Sequence, residues 1–198
     1  MDRQSIVASV TAALTGEPEA FAVRNARRID ARGIEAHSWA VAGPDGTIAA
    51  TGTRDDDFET ACRAAGLDPA GERVIDAGGR NLTPGYVDIH AHGSWERSFD
   101  DGPDGIDVAR AGHAVHGTTR QVLSLITNPI DVMCDNLRNV RAKMDERPDV
   151  LGSHLEGPFL AMARKGAHDP ECLKDPVPEI VDRMLRWRDA PSTPAPAS

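Results

Sequence analysis

Aromatic side chains are scarce in this sequence. They make up 4% of its 198 residues, and tyrosine occurs once. A core remains possible because 40% of the residues are hydrophobic, but it must be built from Val, Ile, Leu and Ala. A basic surplus is also lacking. Lys and Arg number 22 against 31 Asp and Glu, for a net charge of −9. No basic cluster occurs, which argues against nucleic acid as the main partner. An anionic small substrate stays open, because a pocket can be locally positive on an acidic protein. The three cysteines, Cys62, Cys134 and Cys172, are far apart and show no Cys-x-x-Cys spacing. A reduced, cytoplasmic compartment is the simpler reading. No stretch approaches the roughly 18 apolar residues of a membrane span. The N-terminus carries an acid at Asp2 and no long apolar run, unlike a signal peptide. The expectation is a soluble protein with no membrane partner.

The length suits one domain or one and a half. Residues 1–18 are expected to form a flexible or helical extension, with Ile6, Val7, Val10 and Leu14 at helical spacing before Gly16-Glu17-Pro18. Residues 19–83 read as a small β-rich domain. Short strand-like runs over 21–29, 36–42 and 47–53 are separated by turn signals, and Gly43-Pro44-Asp45-Gly46 suits a hairpin. A short helix is expected over 57–65 and a further strand over 73–76. His37 and Trp39 fall here and are read as surface or packing residues. After residue 84 the texture switches to alternating strand and helix. The apolar run 121–127 and the stretch 150–156 read as strands. Met133, Leu137, Val140 and Met144 define one helix face, and Val177, Ile180, Val181, Met184 and Leu185 another. Alternation of this kind implies parallel strands joined by crossover helices. No Gly-x-Gly-x-x-Gly follows the first strand, which weakens a dinucleotide-binding reading. Polar residues gathered at strand C-termini favour a barrel.

The stretch from Leu82 to Gly93 organises the rest. Pro84 and Gly85 make a turn, and from Tyr86 to His92 the pattern alternates. Tyr86, Asp88, His90 and His92 share one face; Val87, Ile89 and Ala91 share the other. Two neutral imidazoles at i and i+2 on one strand can grip a single ion. The plainer reading is a pair of surface histidines. His154 and Glu156 end the third strand, also at i and i+2. In a parallel sheet both strand ends point the same way, so Glu156 can approach an ion held by His90 and His92. Two histidines and one carboxylate suit a hydrolytic zinc.

Pro84-Gly85-Tyr86-Val87-Asp88-Ile89-His90-Ala91-His92-Gly93 resembles the first barrel strand of the amidohydrolase superfamily, and Gly117-Thr118-Thr119 its second. His154-Leu155-Glu156-Gly157-Pro158-Phe159, followed by Lys165-Gly166-Ala167-His168, narrows the resemblance to the N-acetylglucosamine-6-phosphate deacetylase family. The resemblance covers roughly residues 74–187. It implies an α/β fold: the N-terminal part of a metal-dependent (β/α)8 barrel, about three β/α units over residues 84–189, preceded by a small β-sandwich-like domain. It implies a divalent metal ion, zinc, with Glu156 as the metal-binding glutamate. His90 and His92 match the strand pair that holds a second metal in some members. Ala167 and His168 match a segment that contacts the amino sugar. The implied reaction is hydrolysis of the acetamide of N-acetylglucosamine 6-phosphate to acetate and glucosamine 6-phosphate, and the complete family member is expected to be a homodimer.

The chain departs from that pattern. Family members bind the catalytic metal with two later histidines and transfer the proton with a late aspartate, whereas the last histidine here is His168. The catalytic acid–base group is therefore expected to be missing. Asp175, Asp182 and Asp189 read as solvated charges. From Pro84 onward the chain is under half of the about 250 residues an eight-stranded barrel takes. Residues 190–198, rich in Pro, Ala and Ser, are expected to be disordered. The expectation is a C-terminally truncated copy with a replaced tail; a natural linker to a second half is the alternative. Three functions compete: a deacetylase-type hydrolase, an inactive remnant or half-barrel that binds metal or pairs with a second chain, and another amidohydrolase such as a dihydroorotase. The third-strand motif disfavours the last.

Overall fold

A computed structural model describes residues 2–186. It divides into two compact units. Gly16–Pro84 form one, and the first fifteen residues with the segment from Gly85 onward form the other. The tail at 190–198 and Asp189 lie outside the described residues.

Helix α1 (Arg3–Thr15) opens the chain. Asp2 caps it, accepting the Ser5 N–H at 2.9 Å and the Ser5 hydroxyl at 3.2 Å. None of its residues is buried. The helix lies along the larger unit, where Arg3 Nη1 donates to Trp95 O at 3.2 Å.

The smaller unit is one mixed sheet with a helix packed on it. Strands β1 (Phe21–Asp30) and β2 (Gly33–Ala42) pair antiparallel, and β3 (Ile48–Gly52) pairs antiparallel with β2. The predicted hairpin between β2 and β3 is held by Asp45, which accepts both the N–H and the hydroxyl of Thr47. Helix α2 (Asp55–Ala64) begins with three acids, Asp55, Asp56 and Asp57, which suit the positive end of the helix dipole. It buries Phe58 and Cys62 against Trp39, Val41 and Ala22. Trp39 also donates its indole N–H to Arg54 O at 2.9 Å, while His37 is exposed. Strands β4 (Val74–Asp76) and β5 (Asn81–Leu82) both pair parallel with β1, at residues 22–24 and 27–28. Where a sandwich-like domain is expected, the unit has a single five-stranded sheet, β3-β2-β1-β4 with β5 also on β1. The long β1 takes both β4 and β5 into that layer. Runs of two and three residues carry no periodicity from which that pairing could be read.

The larger unit alternates strand and helix. Strand β6 (Tyr86–Ala91) is followed by a small hairpin, β7 (Gly93–Ser94) and β8 (Arg97–Ser98), then α3 (Gly102–Ala114). Strand β9 (Thr118–Ile126), α4 (Ile130–Glu146), β10 (Val150–Glu156) and α5 (Pro178–Leu185) complete it. The three long strands are parallel, in the order β10-β9-β6. The fold is that of an incomplete (β/α)8 barrel, not closed. Gly85 permits the entry to β6, since a Cβ there would lie 2.2 Å from Thr119 Oγ1. Met133, Leu137 and Val140 bury the predicted face of α4 against Leu123, Leu125, Ile106 and Phe99. Met184 of α5 joins them, but Val177 and Leu185 of the same stripe stay exposed. The stretch between β6 and α3 is partly structured. Its hairpin turns through Trp95 and Glu96, both at positive φ.

The alternation along β6 is interrupted. Register shifts between Asp88 and Ala91 break its pairing with β9, and Asp88 Oδ1 accepts the His90 N–H at 3.0 Å. Ala91 packs on the core, whereas Val87 and Ile89 are 60% and 69% exposed. At the opposite end of the sheet lies a buried ion cluster. Arg110 Nε donates to Asp149 Oδ2 at 2.8 Å, Arg147 Nε to Asp149 Oδ1 at 3.1 Å, and Arg147 Nη1 to Asp107 Oδ1 at 2.6 Å. No helix among the described residues is long and apolar enough to cross a membrane.

Candidate metal centre

The parallel order places the C-terminal ends of β6, β9 and β10 along one rim. That rim carries the chemistry in barrels of this type. His90 and His92 project from β6 and its end, and Glu156 from the end of β10. His92 Nε2 lies 2.6 Å from Glu156 Oε2, and His90 Nε2 lies 3.2 Å from the same oxygen. One ligand atom from each of the three falls within 4.8 Å of the others. The side chains are 55%, 41% and 36% exposed, so the cluster is open to solvent. The His90 imidazole, then His92, hold the Glu156 carboxyl below the usual carboxylate range, against a smaller opposing effect of burial.

The donor set fits a divalent ion. Two imidazole nitrogens and a carboxylate oxygen come together and leave a side open to solvent, a donor set that could hold a divalent metal ion. His92 also has a buried Nδ1 without a hydrogen-bond partner. Among the described residues, the polar contact of its imidazole is the one through Nε2, toward Glu156.

Other groups brace the rim. The His154 ring meets His90 edge-on at 4.8 Å, and its Nδ1 lies 3.0 Å from the Ser124 hydroxyl. Asp100 accepts from Ile126 N–H at 3.2 Å, Ser98 Oγ at 3.2 Å and Asn136 Nδ2 at 3.1 Å. Ser98 Oγ also lies 3.1 Å from His92 O, so Asp100 joins the ends of β6, β9 and α4. Burial pushes the Asp100 carboxyl above its ordinary value. His168 comes to the cluster from beyond β10, with Nε2 3.6 Å from Glu156 Oε1 and Nδ1 2.7 Å from Thr127 Oγ1. Ala167 is exposed beside it, and Asp175 and Asp182 are exposed away from it. Sequence reasoning missed Asp100, Ser124 and Thr127. Thr127 alone had a usable signal, as a polar residue at the end of an apolar strand on the same rim.

The fold and this rim define part of an amidohydrolase-type barrel. No family model matches the chain. Individual proteins do. The chain is 29% identical over 122 residues to the N-acetylglucosamine-6-phosphate deacetylase of Haemophilus influenzae, covering 60% of this chain and 32% of that protein. It is 30% identical over 125 residues to the N-acetylgalactosamine-6-phosphate deacetylase of Escherichia coli O157:H7, covering 61% and 33%. The crystal structure of N-acetylglucosamine-6-phosphate deacetylase from Pasteurella multocida superposes with a TM-score of 0.73 at 25% identity, covering 86% of this chain and 43% of that one. The chain spans about a third of the length of these curated relatives. At the level of family, it matches the N-acetylglucosamine-6-phosphate deacetylases of the amidohydrolase superfamily.

Proposed function

We propose that this chain carries the metal-binding part of an amino-sugar-phosphate deacetylase that hydrolyses N-acetylglucosamine 6-phosphate to acetate and glucosamine 6-phosphate. The convergence of His90 and His92 Nε2 on one Glu156 oxygen carries the reading. His90, His92 and Glu156 would hold the ion, and zinc suits the donor set. When bound, such an ion supplies Lewis-acid chemistry, lowering the pKa of water to about 7 and polarising an amide carbonyl. Glu156, whose carboxyl its imidazole neighbours hold below the usual carboxylate range, would neutralise part of the ion's charge. His90 on β6 and His92 directly after it would supply the two nitrogen ligands. Asp100 and Ser98 fix the strand ends from which those imidazoles project. Ala167 and His168 border the same rim, where an amino sugar would lie.

The test is direct. The purified chain is loaded with zinc, its metal content is measured, and acetate release is followed from N-acetylglucosamine 6-phosphate and its galactosamine counterpart. Stoichiometric metal with acetate release supports the reading. Hydrolysis of a cyclic amide, without action on either amino sugar, sinks it. A second reading is a metal-binding part that turns over only with further chain. The exposed Val87 and Ile89 on β6 and Leu151 on β10 favour it, because apolar flanks of a parallel sheet are normally covered. Metal uptake without acetate release would decide for it.

A further inference from the structure

Thr127 stands one residue beyond β9, level with Glu156. Its Oγ1 is 3.2 Å from Glu156 O and 2.7 Å from His168 Nδ1. Thr127 is 6% exposed and His168 8%, so bulk water does not compete for these contacts. A threonine hydroxyl has one proton to give. The Glu156 carbonyl can only accept, so it takes that proton. The hydroxyl oxygen is then left to accept from His168, which needs its N–H on Nδ1. Neutral His168 accordingly carries a lone pair on Nε2. That lone pair faces Glu156 Oε1 at 3.6 Å, beyond direct hydrogen-bond reach. Two acceptors at this spacing are satisfied together by a single donor placed between them. Thr127 has little freedom to turn away: a Cβ on Gly157 would lie 1.8 Å from its Oγ1, so the hydroxyl is wedged against the backbone that follows Glu156.

We propose that Thr127 is a positioning residue that fixes His168 as its Nδ1–H tautomer, so that His168 Nε2 and Glu156 Oε1 form a paired acceptor for a hydroxyl or amide N–H of the ligand. The ligand half rests on the proposed deacetylase reading; the tautomer half does not. A ligand group that can only accept, such as an ether oxygen, is refused at this point of the rim.

Long-range proton–nitrogen correlation spectra of the full metal-free chain, taken where imidazole is neutral, read the tautomer. His168→Gln assigns the signal. Wild type and Thr127→Ser show the Nδ1–H pattern. Thr127→Val, which keeps the shape and loses the hydroxyl, moves to Nε2–H, and amide spectra that overlay elsewhere show that it folds. Nε2–H in wild type, or an unchanged Nδ1–H in Thr127→Val, overturns the assignment. Should Thr127→Val not fold, wild type and Thr127→Ser decide alone. With zinc bound, KM or Kd for N-acetylglucosamine 6-phosphate rises about tenfold in Thr127→Val and stays within about twofold in Thr127→Ser. Equal values in all three overturn the ligand half. A chain that shows the Nδ1–H tautomer but binds no amino sugar overturns the deacetylase reading and the ligand half, and leaves the positioning role supported.

Discussion

At the N-terminal end of the three-stranded sheet, Arg110, Asp149 and Arg147 are 0–2% exposed, and the Asp149 carboxylate is shared between the two guanidiniums. At the C-terminal end, His90, His92 and Glu156 are 36–55% exposed, and one carboxylate faces imidazoles on both of its oxygens. The strands are common to both ends. What differs is whether the charge is completed within the protein. The lower cluster is closed: Asp149 takes Arg110 and Arg147, and Arg110 also reaches Gln121 and Thr118 O. The upper cluster concentrates metal-binding donors and leaves them open. In barrels, the first kind of end belongs to stability and the second to chemistry.

The sharpest way to break that contrast is to remove one partner at each end. Asp149→Ala leaves buried Arg110 without its carboxylate and Arg147 with Asp107 alone. It should cost about 3–5 kcal/mol, read as the loss of unfolding free energy in urea. Glu156→Gln should cost under about 1 kcal/mol in the metal-free chain, because its nearest partners, His90 and His92, are exposed. If both variants lose equal stability, the division of labour is wrong. Metal uptake should reverse the order. Glu156→Gln should lower zinc affinity by more than the about 10–100-fold typical of losing a residue that only supports a ligand. His37→Asn, an exposed change on the smaller unit, should leave it unaltered, as titration calorimetry would show.

Acid sharpens the same contrast. Burial alone would raise the Asp149 carboxyl, but hydrogen bonds and charge from Arg147, with Arg110, hold it below its ordinary value. A carboxylate lowered in the folded state contributes stability above its unfolded pKa of about 3.9 and loses it as pH falls through the lower folded value. Wild type should therefore lose stability on acidification in that window, and Asp149→Asn should show a flatter limb. A parallel limb would mean that the buried pair does not set the acid response. The smallest effect belongs to an exposed pair. Asp145→Ala, which removes the Arg141 contact on α4, should change stability by about 0.3–0.5 kcal/mol.

How far the sequence could be read follows the same division. The open rim was legible, since His-x-His and His-Leu-Glu place like donors two residues apart on strands, and a parallel sheet brings them to one end. Residues 150–156 and the buried face of α4 were legible for a similar reason, as their periodicity spans enough residues to register. The closed cluster was not. Arg110, Arg147 and Asp149 look like surface charges in sequence, and only the packing of α3 against β9 and α4 makes them mutual partners. Val87 and Ile89 misled in the other direction. Their pattern promises burial, but β6 pairs only with β9 among the described strands and leaves them uncovered. The smaller sheet was legible as hairpins and not as a whole, because its parallel additions to β1 are too short to show a pattern.

One consequence follows from the strand order. His90 lies on β6, His92 directly after it, and Glu156 on β10; these two strands are not neighbours, and β9 runs between them. An ion gripped by all three would act as a clasp across the full width of the sheet, pulling its margins together over a middle strand that donates no ligand. Loading and sheet curvature would then be one variable, and the backbone of Leu123 to Ile126 would feel a cation it never touches.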